Sequence, residues 1–257
     1  MSAAAPLHEP GAVDGQAARQ ALRVAVVSET WPPEVNGVAA TAARVLAELR
    51  GRGHALQLLR PRQHPGDTAA QEPGFDEVLV PGLPVPRYPQ LRMGLPSLAL
   101  LRRLWALQRP DVVHLVTEGP LGWGALRAAR SLGLPVVSDF RTNFHVYSRH
   151  YGAAWLQRPI AGYLRRFHNR TACTMVPTEA LRAELQAQGF ANLRVVARGV
   201  DTRQFDPAHR SVELRRRWGA GPGDLVVVHV GRIAPEKNLE TLLAAHAAMR
   251  QRDPRLK

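Results

Sequence analysis

Short apolar runs alternate with helix-length segments along most of the chain, and nothing else in the sequence narrows the fold as far. The runs are "LRVAVVS" (22–28), "ALQLLR" (55–60), "EVLVP" (77–81), "DVVHLV" (111–116), "LPVVSDF" (134–140), "TACTMVP" (171–177) and "LRVV" (193–196). Most carry apolar residues at consecutive positions, as strands do when both faces of a parallel sheet are covered. Helices are predicted near 38–50, 97–108, 121–132, 159–169 and 178–188, the first closed by the glycines of "GRGH". The fold class that follows is α/β, a doubly wound parallel-sheet domain.

Such sheets bind ligands beyond the carboxyl ends of their strands. Here those ends carry "SETWPPEVNG", "TEGPLGWG" and "DFRTNFHVYSRHYG". A strand-to-helix connection needs only a few residues, so the long turn after the first strand is expected to serve a ligand. Gly37 allows close backbone approach, and the helix behind it offers N–H donors and a positive dipole end. The alternative is an Asn36 cap on a helix with no ligand. No G-x-G-x-x-G follows a strand and no G-x-x-x-x-G-K-[ST] occurs, which disfavours an ordinary dinucleotide domain or P-loop.

The expected organisation is a tail over 1–21, a domain over 22–200, a linker over 201–224 containing a short helix, and a new strand–loop–helix start over 225–257. One strand and one helix lack the neighbours a central parallel strand requires, so this last stretch reads as an incomplete second domain. Its apolar faces, "LVVVHV" and "LLAAHAAM", are expected to form a patch prone to association unless they dock on the first domain.

Hydrophobic residues make up 45% of the 257, enough for a substantial core. The single cysteine, Cys173, excludes an intrachain disulfide and reads as a structural thiol. The first twenty residues lack the apolar segment of a signal peptide, and no run has the length of a membrane span. The formal charge of +13 implies affinity for polyanions. The arginines are spread along the chain, and neither zinc-ligand spacing nor a nucleic-acid signature accompanies them, so no specific nucleic-acid partner is expected.

Five segments in order, "ETWPPEVNGVA", "RPDVVHLVTEGPLGWGAL", "TNFHVYSRHYG", "RGVDTRQFDP" and "HVGRIAPEKNLETLL", resemble glycosyltransferase family 4, within it the bacterial GDP-mannose-dependent α-mannosyltransferases. The resemblance runs from about Leu22 to Met249. It implies the GT-B fold of two facing Rossmann-like domains, the first complete here and the second represented by one β-α unit. It also implies transfer of a sugar, foremost mannose from GDP-mannose, to a glycolipid or glycan hydroxyl with retention and without an obligatory metal or cofactor. A cytoplasmic enzyme, meeting its acceptor at the inner face of the membrane, is the expected setting.

By the same resemblance Asn36, Gly37, Arg232 and Lys237 contact the donor diphosphate. Preorganised cations there would stabilise the charge that develops as the sugar–phosphate bond breaks; solvated charges at a helix entrance are the plainer reading. Relatives commonly place histidine before "TNF" near the reacting carbon, where this chain has Arg141. Arginine excludes any role requiring a neutral imidazole but can hydrogen-bond a sugar or phosphate. Glu118, His145 and Tyr151 are acceptor- or sugar-side candidates, with helix capping open for Glu118, a structural role open for His145, and His150 a weaker candidate.

The segment "YPQLRMGLPSLALLRRLWALQRP" reads either as an interfacial helix giving peripheral membrane contact or as a core-facing helix with arginine on its wet side. The family's later pair of glutamates, which holds the donor, has no counterpart here. This chain alone is therefore expected to transfer weakly or not at all. The alternative is a non-catalytic sugar- or lipid-binding module left from such an enzyme.

Overall fold

The computed structural model describes residues 20–85, 88–141, 157–231, 233 and 237–257. Its main sheet has eight strands: β1 (Arg23–Val27), β2 (Ala55–Pro61), β3 (Gln71–Glu72), β4 (Phe75–Val80), β7 (Val112–Leu115), β8 (Val136–Asp139), β9 (Cys173–Val176) and β10 (Leu193–Val195). Their spatial order is β10-β9-β8-β7-β1-β2-β4-β3. All neighbours run parallel except the short edge strand β3, which is antiparallel to β4. Each predicted strand of the first domain lies in this sheet.

A separate antiparallel hairpin, β5 (Gly82–Val85) with β6 (Tyr88–Gly94), was not foreseen. Pro84 and Pro89 lie in it, and proline ordinarily argues against a strand because it cannot donate to the ladder. The two-stranded ribbon has no interior strand, so that loss is tolerated. Residues 88–94 are accordingly extended, and the helix of this segment starts only at Leu98.

Among the described residues the α-helices are α1 (Gly37–Gly51), α2 (Leu98–Leu107), α3 (Pro120–Ser131), α4 (Gln157–His168), α5 (Glu179–Ala187), α6 (Val212–Arg217) and α7 (Leu239–Arg252). Alternation along β1 divides the core. Ala25 and Val27 join Leu101 and Trp105 of α2, Leu121, Ala125 and Leu126 of α3, and Phe167 of α4 on one face. Val24 and Val26 join Ala42 and Leu46 of α1 on the other. Leu101 and Trp105 thus point α2 into the core, the second of its two predicted orientations. Among the described residues no helix is long and apolar enough to cross a membrane.

The order places a topological switch at β1. From it the chain first builds outward through β2 and β4, then returns to the other side for β7, β8, β9 and β10. The turns after β1 and β7 therefore leave the sheet edge side by side and open a crevice between the starts of α1 and α3.

Residues 225–230, predicted as a strand, are not one. A strand is defined by its neighbours, and among the described residues two backbone bonds (Lys257 N to Leu225 O, 3.0 Å; Val227 N to Lys257 O, 2.9 Å) join the segment only to the last residue. Val228 is 54%, Val230 89% and Leu243 67% exposed, so apolar side chains of both segments face outward. Sedimentation is expected to show concentration-dependent association that Val228→Ser/Val230→Ser weakens; a monomer at all concentrations would contradict this.

Candidate active site

The turn after β1 is built from its own polar groups. Ser28 Oγ donates to the Thr30 carbonyl (2.6 Å), and Thr30 Oγ1 donates to Glu34. Asn36 Nδ2 donates to Thr30 Oγ1 (2.6 Å), while its Oδ1 accepts from Val38 N (3.0 Å) and Ala39 N (2.8 Å). Asn36 therefore caps α1, and its side chain is committed to the loop and the helix entrance. Gly37 has no atom within 4 Å of where a Cβ would sit, so packing does not require glycine there.

Across the crevice, Gly119 precedes α3 and supplies no capping side chain. Glu29 caps the helix from the turn after β1 instead, Oε1 accepting from Leu121 N at 2.9 Å. The turn is fixed by a further bond from Glu29 N to Thr117 Oγ1, 3.0 Å. A Cβ on Gly119 would overlap the Glu29 carboxylate, one on Gly122 the Thr117 carbonyl, and one on Gly124 the Pro96 ring. The glycines of "TEGPLGWG" thus seat Glu29 and bring α3 close to its neighbours.

Burial pushes the Glu29 carboxyl up to about 7, against the lowering effect of N–H bonds from Leu121 and Gly94, and the nearby Glu118 adds to the rise. Raised above its unfolded value, this group disfavours the folded state progressively as pH climbs from about 4.5 to about 7. The loss amounts to about 3 kcal/mol. Glu29→Gln is expected to remove most of this decline, read as denaturant midpoints across that range. An unchanged slope would contradict the assignment.

Glu118, expected to face the cleft, is buried. Its Oε1 lies 3.3 Å from His168 Nε2, and the His168 ring meets Ser138 Oγ through Nδ1 at 2.9 Å. Tyr163 donates its hydroxyl to the Glu118 carbonyl at 2.5 Å. Burial, then the carboxylates of Glu29 and Glu118, raise the Tyr163 phenol to about 12.

The second part of the site is a cavity of about 370 Å³ between α1 and the carboxyl ends of β8, β9 and β10. Its volume lies in the range of small-ligand sites. Asp139 ends β8 inside it and accepts from His114 Nε2 (3.0 Å), from Arg141 Nε (2.7 Å) and from Arg141 Nη2. The Arg141 side chain is only 7% exposed. These bonds and charges hold the Asp139 carboxyl below its usual range despite burial. Arg44 and Arg198 also line the cavity. Partial burial and then the neighbouring Arg141 charge pull the Arg198 guanidinium below its ordinary value, against the opposing charge of Asp139.

Lys237 is exposed beside the α7 cap, away from these groups in sequence and without an ion pair among the described residues. Arg232, His145, His150, Tyr151 and most of the expected tail lie outside the described residues. No set of three acidic, histidine or cysteine side chains is placed to hold a metal among those described. Cys173 is half-buried, and burial raises its thiol pKa. Sequence reasoning passed over Glu29. Its signal was a helix start, "TEGPLG", without a capping side chain of its own opposite an acid at a neighbouring strand end.

A family model, Glycosyltransferase Family 4, matches residues 35–204. A GDP-mannose-dependent alpha-mannosyltransferase of Mycobacterium tuberculosis is 38% identical over 89% of this chain and 61% of its own length. Its counterpart in Mycolicibacterium smegmatis is 35% identical over 86% of this chain and 59% of its own. The chain therefore spans about 60% of the length of these relatives. Sucrose-phosphate synthase of Thermosynechococcus elongatus superposes with a TM-score of 0.64 at 14% identity, over 88% of this chain and 60% of that one, a likeness of fold. With its parallel sheet, its crevice at the switch point and a family match over most of its length, the chain belongs to glycosyltransferase family 4.

Proposed function

We propose that this chain forms the acceptor-side domain and the start of the donor-side domain of a retaining mannosyltransferase. It would move mannose from GDP-mannose to a glycolipid or glycan hydroxyl. The observation that carries the reading is the 38% identity to a GDP-mannose-dependent enzyme across nearly the whole chain. The chemistry of the crevice supports it. When the sugar–phosphate bond breaks, the diphosphate gains negative charge, and cations already in place stabilise that charge without reorganising.

In this reading Gly37 at the α1 entrance faces the diphosphate from one side, with Arg232 and Lys237 on the other. Asn36 acts by holding the loop, since its side chain is occupied. Arg141 is the candidate nearest the reacting sugar, positioned by Asp139, and its always-protonated guanidinium serves as hydrogen-bond donor and charge stabiliser, not as a base. Glu118 acts by setting the floor of the crevice, while His145 and Tyr151 contribute from the sequence that follows β8. With the apolar side chains of 225–230 exposed, these 257 residues by themselves would transfer slowly.

The test is transfer from radiolabelled GDP-mannose to lipid-extractable and glycan acceptors. It compares the chain alone with a fusion to the remaining part of its tuberculosis relative. The expected result is transfer by the fusion, strongly reduced by Arg141→Ala. A folded fusion that binds GDP-mannose yet labels neither acceptor would overturn the reading.

A further inference from the structure

The outer surface of the helical layer holds a groove of about 650 Å³ between α2, α3 and α4. Arg127 and Arg130 face it from α3, at helical spacing from Trp123. Arg166 and Arg170 face it from the end of α4, at the same kind of spacing from Tyr163, and Arg102 closes it from α2. All five arginines are exposed. Trp123 and Tyr163 lie 5.8 Å apart, and the Arg170 guanidinium stands 5.9 Å over the Trp123 ring.

No carboxylate lines this groove, and among the described residues none of the five arginines has an acidic partner. Their bonds go to neutral groups: Arg102 Nε to Ser131 Oγ (2.9 Å), Arg130 Nη1 to the Arg170 carbonyl (3.1 Å) and Arg170 Nη1 to the Arg166 carbonyl (2.7 Å). Elsewhere on the surface arginines do pair, as Arg50 with Glu72 and Arg216 with Glu213. Five like charges around one depression repel each other, and the neutral groups that Arg102, Arg130 and Arg170 bond leave that repulsion uncompensated. An anion with several oxygens would accept from several guanidinium forks at once and remove the repulsion.

We propose that the groove is a binding site for a phosphoryl-bearing ligand. It is separate from the crevice cavity, because α1 lies on one face of the sheet while α2, α3 and α4 cover the other. The site goes beyond the proposed transfer reaction and does not depend on it. A carboxylate would satisfy one fork, whereas a diphosphate spans two or more, and the groove has room for it. The phosphoryl group could belong to a free metabolite or to a lipid headgroup, and two probes separate these sources.

The experiment titrates the 257-residue chain with inorganic pyrophosphate at near-physiological salt, following tryptophan fluorescence and thermal shift. A parallel flotation assay uses phosphatidylcholine vesicles with and without phosphatidylglycerol. Arg127→Gln/Arg166→Gln removes two groove charges, and Arg250→Gln/Arg252→Gln removes two from exposed positions on α7. The expected result is that the groove pair weakens binding about tenfold or more while the α7 pair changes it little. Arg127→Lys/Arg166→Lys, which keeps the charge and loses the forks, should fall between. Saturable pyrophosphate binding with this dependence identifies a soluble ligand. The same dependence with anionic vesicles alone identifies a headgroup, and either supports the site. Equal weakening by the groove and α7 pairs, or no binding of either probe by the unaltered chain, would overturn it.

Discussion

Gly119→Ala is expected to destabilise the protein by about 3 kcal/mol or more, at the upper end of overpacking costs. The reason is specific to one contact. The added methyl would occupy the place of the Glu29 carboxylate, which is buried and bonded to Leu121 N at the start of α3. Relief requires Glu29 to leave, and that strips α3 of its cap and breaks the link between the turns after β1 and β7. A double-mutant cycle with Glu29→Ala checks the mechanism. Glu29→Ala alone should cost stability through the lost cap, yet in the Gly119→Ala background it should cost far less or recover part of the loss. Additive effects in urea unfolding would show that the two residues do not share this space.

Arg141→Ala carries the second large effect, about 3 kcal/mol of stability together with a severe loss of any transfer activity. Asp139 and Arg141 are both nearly buried, with side-chain exposures of 10% and 7%. Removing the cation leaves the carboxylate with the His114 hydrogen bond and the more distant Arg198 charge, and a poorly compensated buried charge is among the costliest defects a substitution can create. The linkage gives the change a pH signature. In the unaltered protein the Asp139 carboxyl is held below its ordinary value, so its contribution is present above the unfolded pKa and is lost as pH falls through the lower folded one. Without Arg141 the folded pKa moves back toward the unfolded one, so this acid-side loss should shrink. Arg141→Lys should restore much of the stability, since it keeps a charge, but little of the activity if the guanidinium fork contacts substrate. Equal recovery of both by lysine would make Arg141 a structural residue alone.

Both predictions depend on contacts that link distant positions: Glu29 with Gly119, and Asp139 with His114 across neighbouring strands. The elements that carry these residues were legible beforehand. Apolar runs of strand length, the helix between Gly37 and Gly51 and the crevice beyond the strand ends all follow from local periodicity and from the rule that open α/β sheets bind at a switch point. The hairpin at 82–94 was hidden by its prolines. The segment 225–230 looked like a strand because side-chain pattern reports propensity, while pairing requires a neighbour.

Asn36 and Gly37 stood out by spacing and by resemblance, Arg141 by resemblance alone, and the structure adds what the Asn36 and Arg141 side chains do. Asn36 caps α1 and Arg141 is tied to Asp139. Glu118 stood out for its place at a strand end, but position along a strand does not decide whether the following carboxylate turns outward or in; here it turns in, toward His168.

The sequence by itself determined the layered α/β architecture, the place of the crevice and the family, because all three rest on short-range pattern and ordered motifs. The tertiary structure alone decided that Glu29 caps a helix begun about ninety residues later, and that arginines scattered from position 102 to 170 surround one groove. Periodicity fixes which way a side chain faces within its own element. Which side chains meet depends on how the elements pack, and that is set by the whole core.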